Sequence, residues 1–239
     1  MFPATRHSLV VEARSPDLQT RKRAYAALTA AYWKPVYKYL RLRWRASIED
    51  AQDLTQSFFL ADSTQRMMTR YESGRARFRT FLRTCLDGFV ANERKAAVRI
   101  KRGGEAQFLS LELQEVESEL QRQGSCDELD LEQYFHREWV RSLFGLAVDE
   151  FRAQASGSGK AVAFAIFERY DLGEHGEGER PTYTELGRQF GIPVSQVTNH
   201  LALARRRFRE IILQKLEEIT GSEQEFRDEA RDLLGIEPR

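Results

Sequence analysis

Cysteine, histidine and proline are scarce in this chain, at two, four and six of 239 residues. Cys85 and Cys126 lack the spacing of a metal site or a disulfide framework. Cys85 falls on an apolar helical stripe, where a buried thiol is the ordinary reading. His7, His136, His175 and His200 are scattered, and no glycine-rich phosphate loop or nucleophile-base constellation accompanies them. The expectation is a protein that needs no metal or cofactor and is not an enzyme. No apolar run approaches membrane-spanning length. The opening Met-Phe-Pro-Ala-Thr-Arg-His-Ser-Leu-Val-Val-Glu has no apolar core bounded by small residues, so it does not read as a signal peptide. These features predict a cytoplasmic location and no membrane partner.

Net charge is also small, at +1, but it is blocked along the chain. Positive charge gathers in Lys34–Arg45, Arg66–Arg102 and the run Arg205-Arg206-Arg207-Phe208-Arg209, and negative charge between Glu105 and Glu132. Such blocking can present several basic surfaces and one acidic tether, which suits a nucleic-acid partner.

Nearly every periodic segment has helical spacing, and none alternates as a strand does, so the fold class is all-α. Helices are expected over Ala24–Leu40, Ile48–Arg70 (Ala51, Leu54 and Phe58 on one stripe) and Ala76–Ile100. The last buries Phe78, Phe81, Leu82, Cys85 and Phe89 and stops at Gly103-Gly104. Residues Glu105–Glu132 read as a linker that is at most partly helical. Helical pattern resumes at Tyr134–Arg152 and Lys160–Tyr170, then from Thr182 onward with one break at Thr220-Gly221.

The sharpest local pattern begins at Pro181-Thr-Tyr-Thr-Glu-Leu-Gly-Arg-Gln-Phe-Gly-Ile-Pro-Val-Ser-Gln-Val-Thr-Asn-His. Thr182 and Glu185 form a capping box. Tyr183, Leu186 and Phe190 give the first helix its buried side. Gly191 supplies a positive φ for a tight turn, and Pro193 suits the first turn of the next helix. That second helix buries Val197, Leu201, Ala204 and Phe208, which turns Ser195, Thr198, Asn199, Ala202 and Arg206 outward. This is the helix-turn-helix arrangement, with a recognition helix for the major groove. Ser195, Gln196, Thr198 and Asn199 can read base edges, while Arg205, Arg206 and Arg209 suit phosphates. His200 lies at the edge of the buried stripe and is read as packing.

This motif, with Val197-Thr-Asn-His-Leu-Ala-Leu-Ala-Arg-Arg-Arg-Phe-Arg, resembles region four of bacterial sigma factors. In the N-terminal half, Asp50-Ala-Gln-Asp53-Leu-Thr-Gln-Ser-Phe-Phe resembles the region-two pattern Asp-Ala-Glu-Asp-Leu-x-Gln-Glu-x-Phe. Phe78-Arg-Thr-Phe-Leu-Arg-Thr-Cys-Leu-Asp-Gly-Phe-Val-Ala-Asn-Glu-Arg-Lys resembles the promoter-binding helix that follows. The order matches the extracytoplasmic-function type over about residues 20 to 215. The opening segment, Arg99-Ile-Lys-Arg-Gly-Gly and the tail from Thr220 look like a subgroup with a C-terminal extension, some of whose members are thought to be controlled by serine/threonine kinases.

The resemblance implies region two at 1–102, an acidic interdomain linker at 103–133, region four at 134–219 and a C-terminal helical extension at 220–239. It implies binding to core RNA polymerase, at the clamp of the largest subunit and the flap region, and to promoter DNA. Asp50, Asp53 and Gln56 match the clamp-docking residues. Gln52 and Ser57 stand where the pattern has glutamate, and Thr55 where an aliphatic residue is common. Two charges are thereby missing, and phosphorylation of Thr55 or Ser57 by a Ser/Thr kinase would restore negative charge. On the third helix Arg79 and Arg83, continued by Arg94, Lys95, Arg99, Lys101 and Arg102, are expected to meet the upstream promoter element nearest the start site. Gly88, Asn92 and Lys95 replace the family's usual Asn, Asp and Arg, so base preference does not carry over. The linker would thread near the RNA exit path, and the tail would dock through Phe226, Leu233 and Leu234. A stand-alone helix-turn-helix regulator is the alternative reading, although no dimerisation heptads are evident.

Overall fold

The computed structural model describes residues 8–97, 110–123, 131–157, 160–173 and 180–236. Arg99, Lys101, Arg102, Cys126, His7 and His175 lie outside them. Among the described residues every regular element is helical. The chain divides into unit 1, residues 1–142 with 216–239, and unit 2, residues 143–215.

Unit 1 is organised on α2 (Leu18–Arg43), which Asp17 starts by accepting a hydrogen bond from the Thr20 N–H at 2.8 Å. Short α1 (Leu9–Glu12) packs on it, as do α3 (Ile48–Phe59) and α6 (Ser110–Gln123). From Ala31 to Leu40 the α2 side chains are nearly all buried, including Tyr32, Tyr37, Tyr39 and even Lys38. A helix buried on all sides has lost its amphipathic stripe. The aromatic packing is edge-on, with Tyr32 against Phe78 at 5.6 Å and Phe58 against Phe89 at 5.6 Å.

The helix expected over Ile48–Arg70 is two helices, α3 and α4 (Ala61–Arg70). They part at Leu60, whose ψ of 144° is extended. Helix α5 (Phe78–Ala97) buries Phe78, Leu82, Leu86 and Val90. Phe81, Cys85 and Phe89 flank that stripe half-buried, so the true core line sits one position round from the expected one.

The acidic linker differs most from expectation. Within it, Ser110–Gln123 form α6, whose Leu113 and Val116 are buried. Glu117 accepts hydrogen bonds from the Tyr37 hydroxyl at 2.6 Å and Arg41 Nε at 2.7 Å. Lys38 Nζ donates to Glu119 and to Glu138, each at 2.5 Å, with Lys38 and Glu138 both about as buried as an apolar core residue. The carboxylates therefore hold α6 to α2 rather than leave it as a solvated tether. The Glu138 ligand comes from α7 (Leu131–Gly157).

Unit 2 takes the second part of α7, then α8 (Ala161–Phe167), a π-helical turn (Glu168–Leu172), α9 (Tyr183–Phe190) and most of α10 (Val194–Ile219). Phe151, Phe164, Phe167 and Phe208 form its aromatic centre, with ring separations between 5.1 and 5.7 Å. The end of α10 belongs to unit 1, as does the final helix α11 (Glu223–Leu234).

Candidate nucleic-acid interface

The α9–α10 pair in unit 2 is built as its residues require. Thr182 accepts from the Glu185 N–H while Glu185 accepts from the Thr182 N–H, which completes the capping box. Glu185 sits below its ordinary pKa because the Thr182 backbone and hydroxyl donate to its charged form. Gly191 closes α9 with φ +64°. Pro193 stands just before α10, where its carbonyl accepts from the Gln196 and Val197 N–H groups. Ile166, Leu186, Val197 and Leu201 make the buried cluster, with Tyr170, Tyr183, Phe190 and Ile192 packed around it.

This fixes the outward side of α10. Ser195, Gln196, Thr198 and Asn199 are exposed together on its first two turns. Arg205, Arg206 and Arg209 are exposed further along, but not equally available. Arg205 is held by Asp171 at 2.8 and 2.9 Å and lies over the Tyr170 ring. Among the described residues Arg206 makes an exposed pair with Glu210 at 3.3 Å, which a phosphate can displace at little cost. His200 is half-buried at the edge of the packed side.

In unit 1, α3 starts at Ser47, whose hydroxyl accepts from the Asp50 N–H at 3.0 Å. Asp50, Asp53 and Gln56 are exposed along one side, with Glu49 beside them and Ser57 half-buried at the margin. Thr55 is different: it is buried, and its hydroxyl donates to the Ala51 carbonyl at 2.6 Å. It also lines an apolar cavity of about 410 Å³ with Trp33, Phe59, Leu60 and Leu113. The two candidate phosphosites thus have opposite access, Thr55 from the interior and Ser57 from the surface.

The two ends of α5 have different surroundings. At its C-terminal end Asn92, Arg94 and Lys95 are exposed. Arg94 lies 4.8 Å from the Trp44 ring centre and donates to the Trp44 carbonyl. Arg43 lies over the same ring, and the Trp44 indole N–H donates to Asp87 at 3.0 Å. Sequence spacing does not reveal this Trp44 cluster, because Asp87 and Arg94 lie 43 and 50 residues from Trp44 and only folding brings them together. At the N-terminal end Arg79, expected to be exposed, is mostly covered. It pairs with Glu229 at 3.0 Å, donates to His136 Nδ1 at 3.0 Å and lies over the Trp139 ring. Burial and the positive charge of Arg79 hold His136 below its ordinary pKa, so its ring stays neutral and accepts that bond. Arg83 faces Glu132 at 3.6 Å.

Chemically, the described residues offer charge, hydrogen bonding and stacking. No group of three or more metal-ligating side chains occurs among them, and no described helix is long and apolar enough to cross a membrane. Comparisons with family models, with curated proteins and with solved structures return no match to this chain.

Proposed function

We propose that this chain is a sigma factor of the extracytoplasmic-function type, which carries core RNA polymerase to promoters and initiates transcription there. The observation that carries this reading is the α9–α10 pair, with Ser195, Gln196, Thr198 and Asn199 exposed together on a helix whose opposite side is pinned by a buried cluster. A recognition helix needs that division of its two sides. The exposed row Asp50, Asp53 and Gln56 on α3 supports a second, protein-binding surface, which a stand-alone regulator has no use for. In this reading it meets basic residues of the polymerase clamp. Charge at such a rim acts mainly on encounter rate and register.

Phosphorylation at Ser57 completes this surface. The side chain borders Asp50 and Asp53 from a half-buried position, and a phosphate there adds about −1.5 to −2 charge. Thr55 is the poorer substrate because its hydroxyl is buried and already bonded.

The test is binding of purified chain to bacterial core RNA polymerase, with run-off transcription from genomic fragments. Asp53→Arg should abolish binding, and Ser57→Glu should strengthen it relative to the unphosphorylated chain. Promoter-specific transcripts from an active form would complete the case. A chain that ignores polymerase in every form but shifts duplex DNA alone is a classical regulator, and the sigma reading then goes.

A further inference from the structure

The start of α5 is a strongly cationic spot with an internal occupant. The Phe78 N–H, at the first turn of a 20-residue helix, donates to Glu225 Oε1 of α11 at 2.5 Å. The other oxygen of Glu225 accepts from the Tyr71 hydroxyl at 3.0 Å and the Gly221 N–H at 2.8 Å. One turn along α11, Glu229 Oε1 meets Arg79 at 3.0 Å and Arg77 at 3.4 Å. Asp232 then meets Arg77 at 2.9 Å. Three carboxylates at i, i+4 and i+7 therefore form one stripe on the basic helix start, a little over 5 Å per turn apart.

Packing alone does not call for such residues. Glu229 is 1% exposed, and its Oε2 has no hydrogen-bond partner among the described residues. Burial raises its pKa above the ordinary glutamate value even with Arg79 and Arg77 beside it. A buried ion pair replaced as a whole by apolar residues of similar volume often costs no stability, so the Glu229–Arg79 pair is not a requirement of packing. A helix N-terminus flanked by two guanidinium groups is in addition the geometry that receives phosphate.

We infer that the N-terminal end of α5, with Arg77, Arg79 and the Phe78 N–H, is a phosphate-binding site for DNA backbone, occupied in the free protein by the α11 carboxylates as an internal competitor. DNA and α11 exclude one another there, so displacement of α11 accompanies engagement of this end of α5. The inference deepens the proposed function and rests on α5 facing DNA.

Two measurements test it, both on the full-length chain. The first follows the anisotropy of a labelled mixed-sequence duplex with a central unpaired segment, at low and moderate salt. The double variant Glu225→Gln/Glu229→Gln should bind about tenfold tighter than wild type, since the competitor no longer closes the site. Its salt dependence should steepen, and adding Arg77→Ala/Arg79→Ala should remove both effects. A double variant that folds, by circular dichroism, but binds no tighter overturns the inference, and so does a gain that survives the arginine substitutions. The second measurement is hydrogen exchange of wild type. Saturating DNA should speed exchange across Glu223–Leu234, and unchanged or slower exchange there overturns the inference even where the variants fold poorly. Polymerase binding through α3 reads the sigma assignment separately. A chain that binds polymerase but fails both tests keeps that assignment and loses this site.

Discussion

Gly187 and Gly191 lie four residues apart and do different work. Gly191 supplies a left-handed turn, a need that the sequence announces because few other residues adopt φ +64° without strain. Gly187 is required for its missing side chain, since a Cβ there would stand 2.9 Å from the Ile192 carbonyl oxygen. That oxygen belongs to the turn backbone and cannot swing aside. Gly187→Ala should cost about 1–3 kcal/mol, as overpacked sites do, and lower the thermal midpoint together with duplex affinity. Gly88→Ala, where a Cβ meets nothing within 4 Å, should leave the fold at least as stable. On the proposed recognition face of α10, Asn199→Ala should narrow the difference between preferred and mismatched duplexes by about 1–3 kcal/mol. Arg206→Ala should instead weaken binding to all sequences and lower the salt slope by about 1. Parallel titrations on two duplexes at several salt concentrations separate the two effects. The capping box, Gly191 and the buried Val197–Leu201 side could be read from spacing alone. The contact that fixes Gly187 could not, because it depends on a distance across the turn.

At the scale of elements, α6 and α11 show how charge misleads when read along the chain. A glutamate-rich run reads as solvated, yet Glu117 and Glu119 find Tyr37, Arg41 and Lys38 about 80 residues away. The tail was expected to dock through Phe226, Leu233 and Leu234. Phe226 is buried, but Leu233 and Leu234 are only half-buried, and carboxylates make the named contacts. Burial opposes ionisation of Glu117, but Arg41 and Tyr37 more than offset it and hold its pKa below the ordinary value. Its contribution to stability is therefore complete above the unfolded-state pKa and lost as pH falls through the lowered folded value. Acid titration should loosen α6 from α2 in that range, seen as faster amide exchange across Ser110–Gln123. Glu117→Gln should flatten that dependence. Lys38 gives a sharper test: Glu138→Ala strands a buried ammonium with one ligand fewer, at a cost of about 3–5 kcal/mol in urea unfolding. Replacing Lys38 and Glu138 together by Met should cost far less, because it removes both buried charges at once.

Across the whole molecule, the all-helical class was legible from helical periodicity. The bounds of the two compact units were not. Unit 2 is narrower than the stretch from Tyr134 to Ile219, and the tail belongs with the N-terminal helices. The reason is that α7 and α10 each contribute to both units, and a continuous apolar stripe carries no mark where its partners change. Glu138 and Gly187 belong to different units and share no partner. Their destabilising substitutions should therefore add within about 0.5 kcal/mol in a double variant.

The membership of residues 216–239 in unit 1 also sets an order of assembly during synthesis. Unit 2 is one uninterrupted stretch of 143–215, so it can close as soon as that stretch has left the ribosome. Unit 1 starts first but must wait, because Glu225 caps α5 from 147 residues downstream. On a ribosome adding about 5–20 residues per second, the N-terminal helices then spend about 7–30 seconds with the start of α5 uncapped. A message cut short before Ser222 would release a chain with a finished unit 2 and an N-terminal half still lacking its last helix.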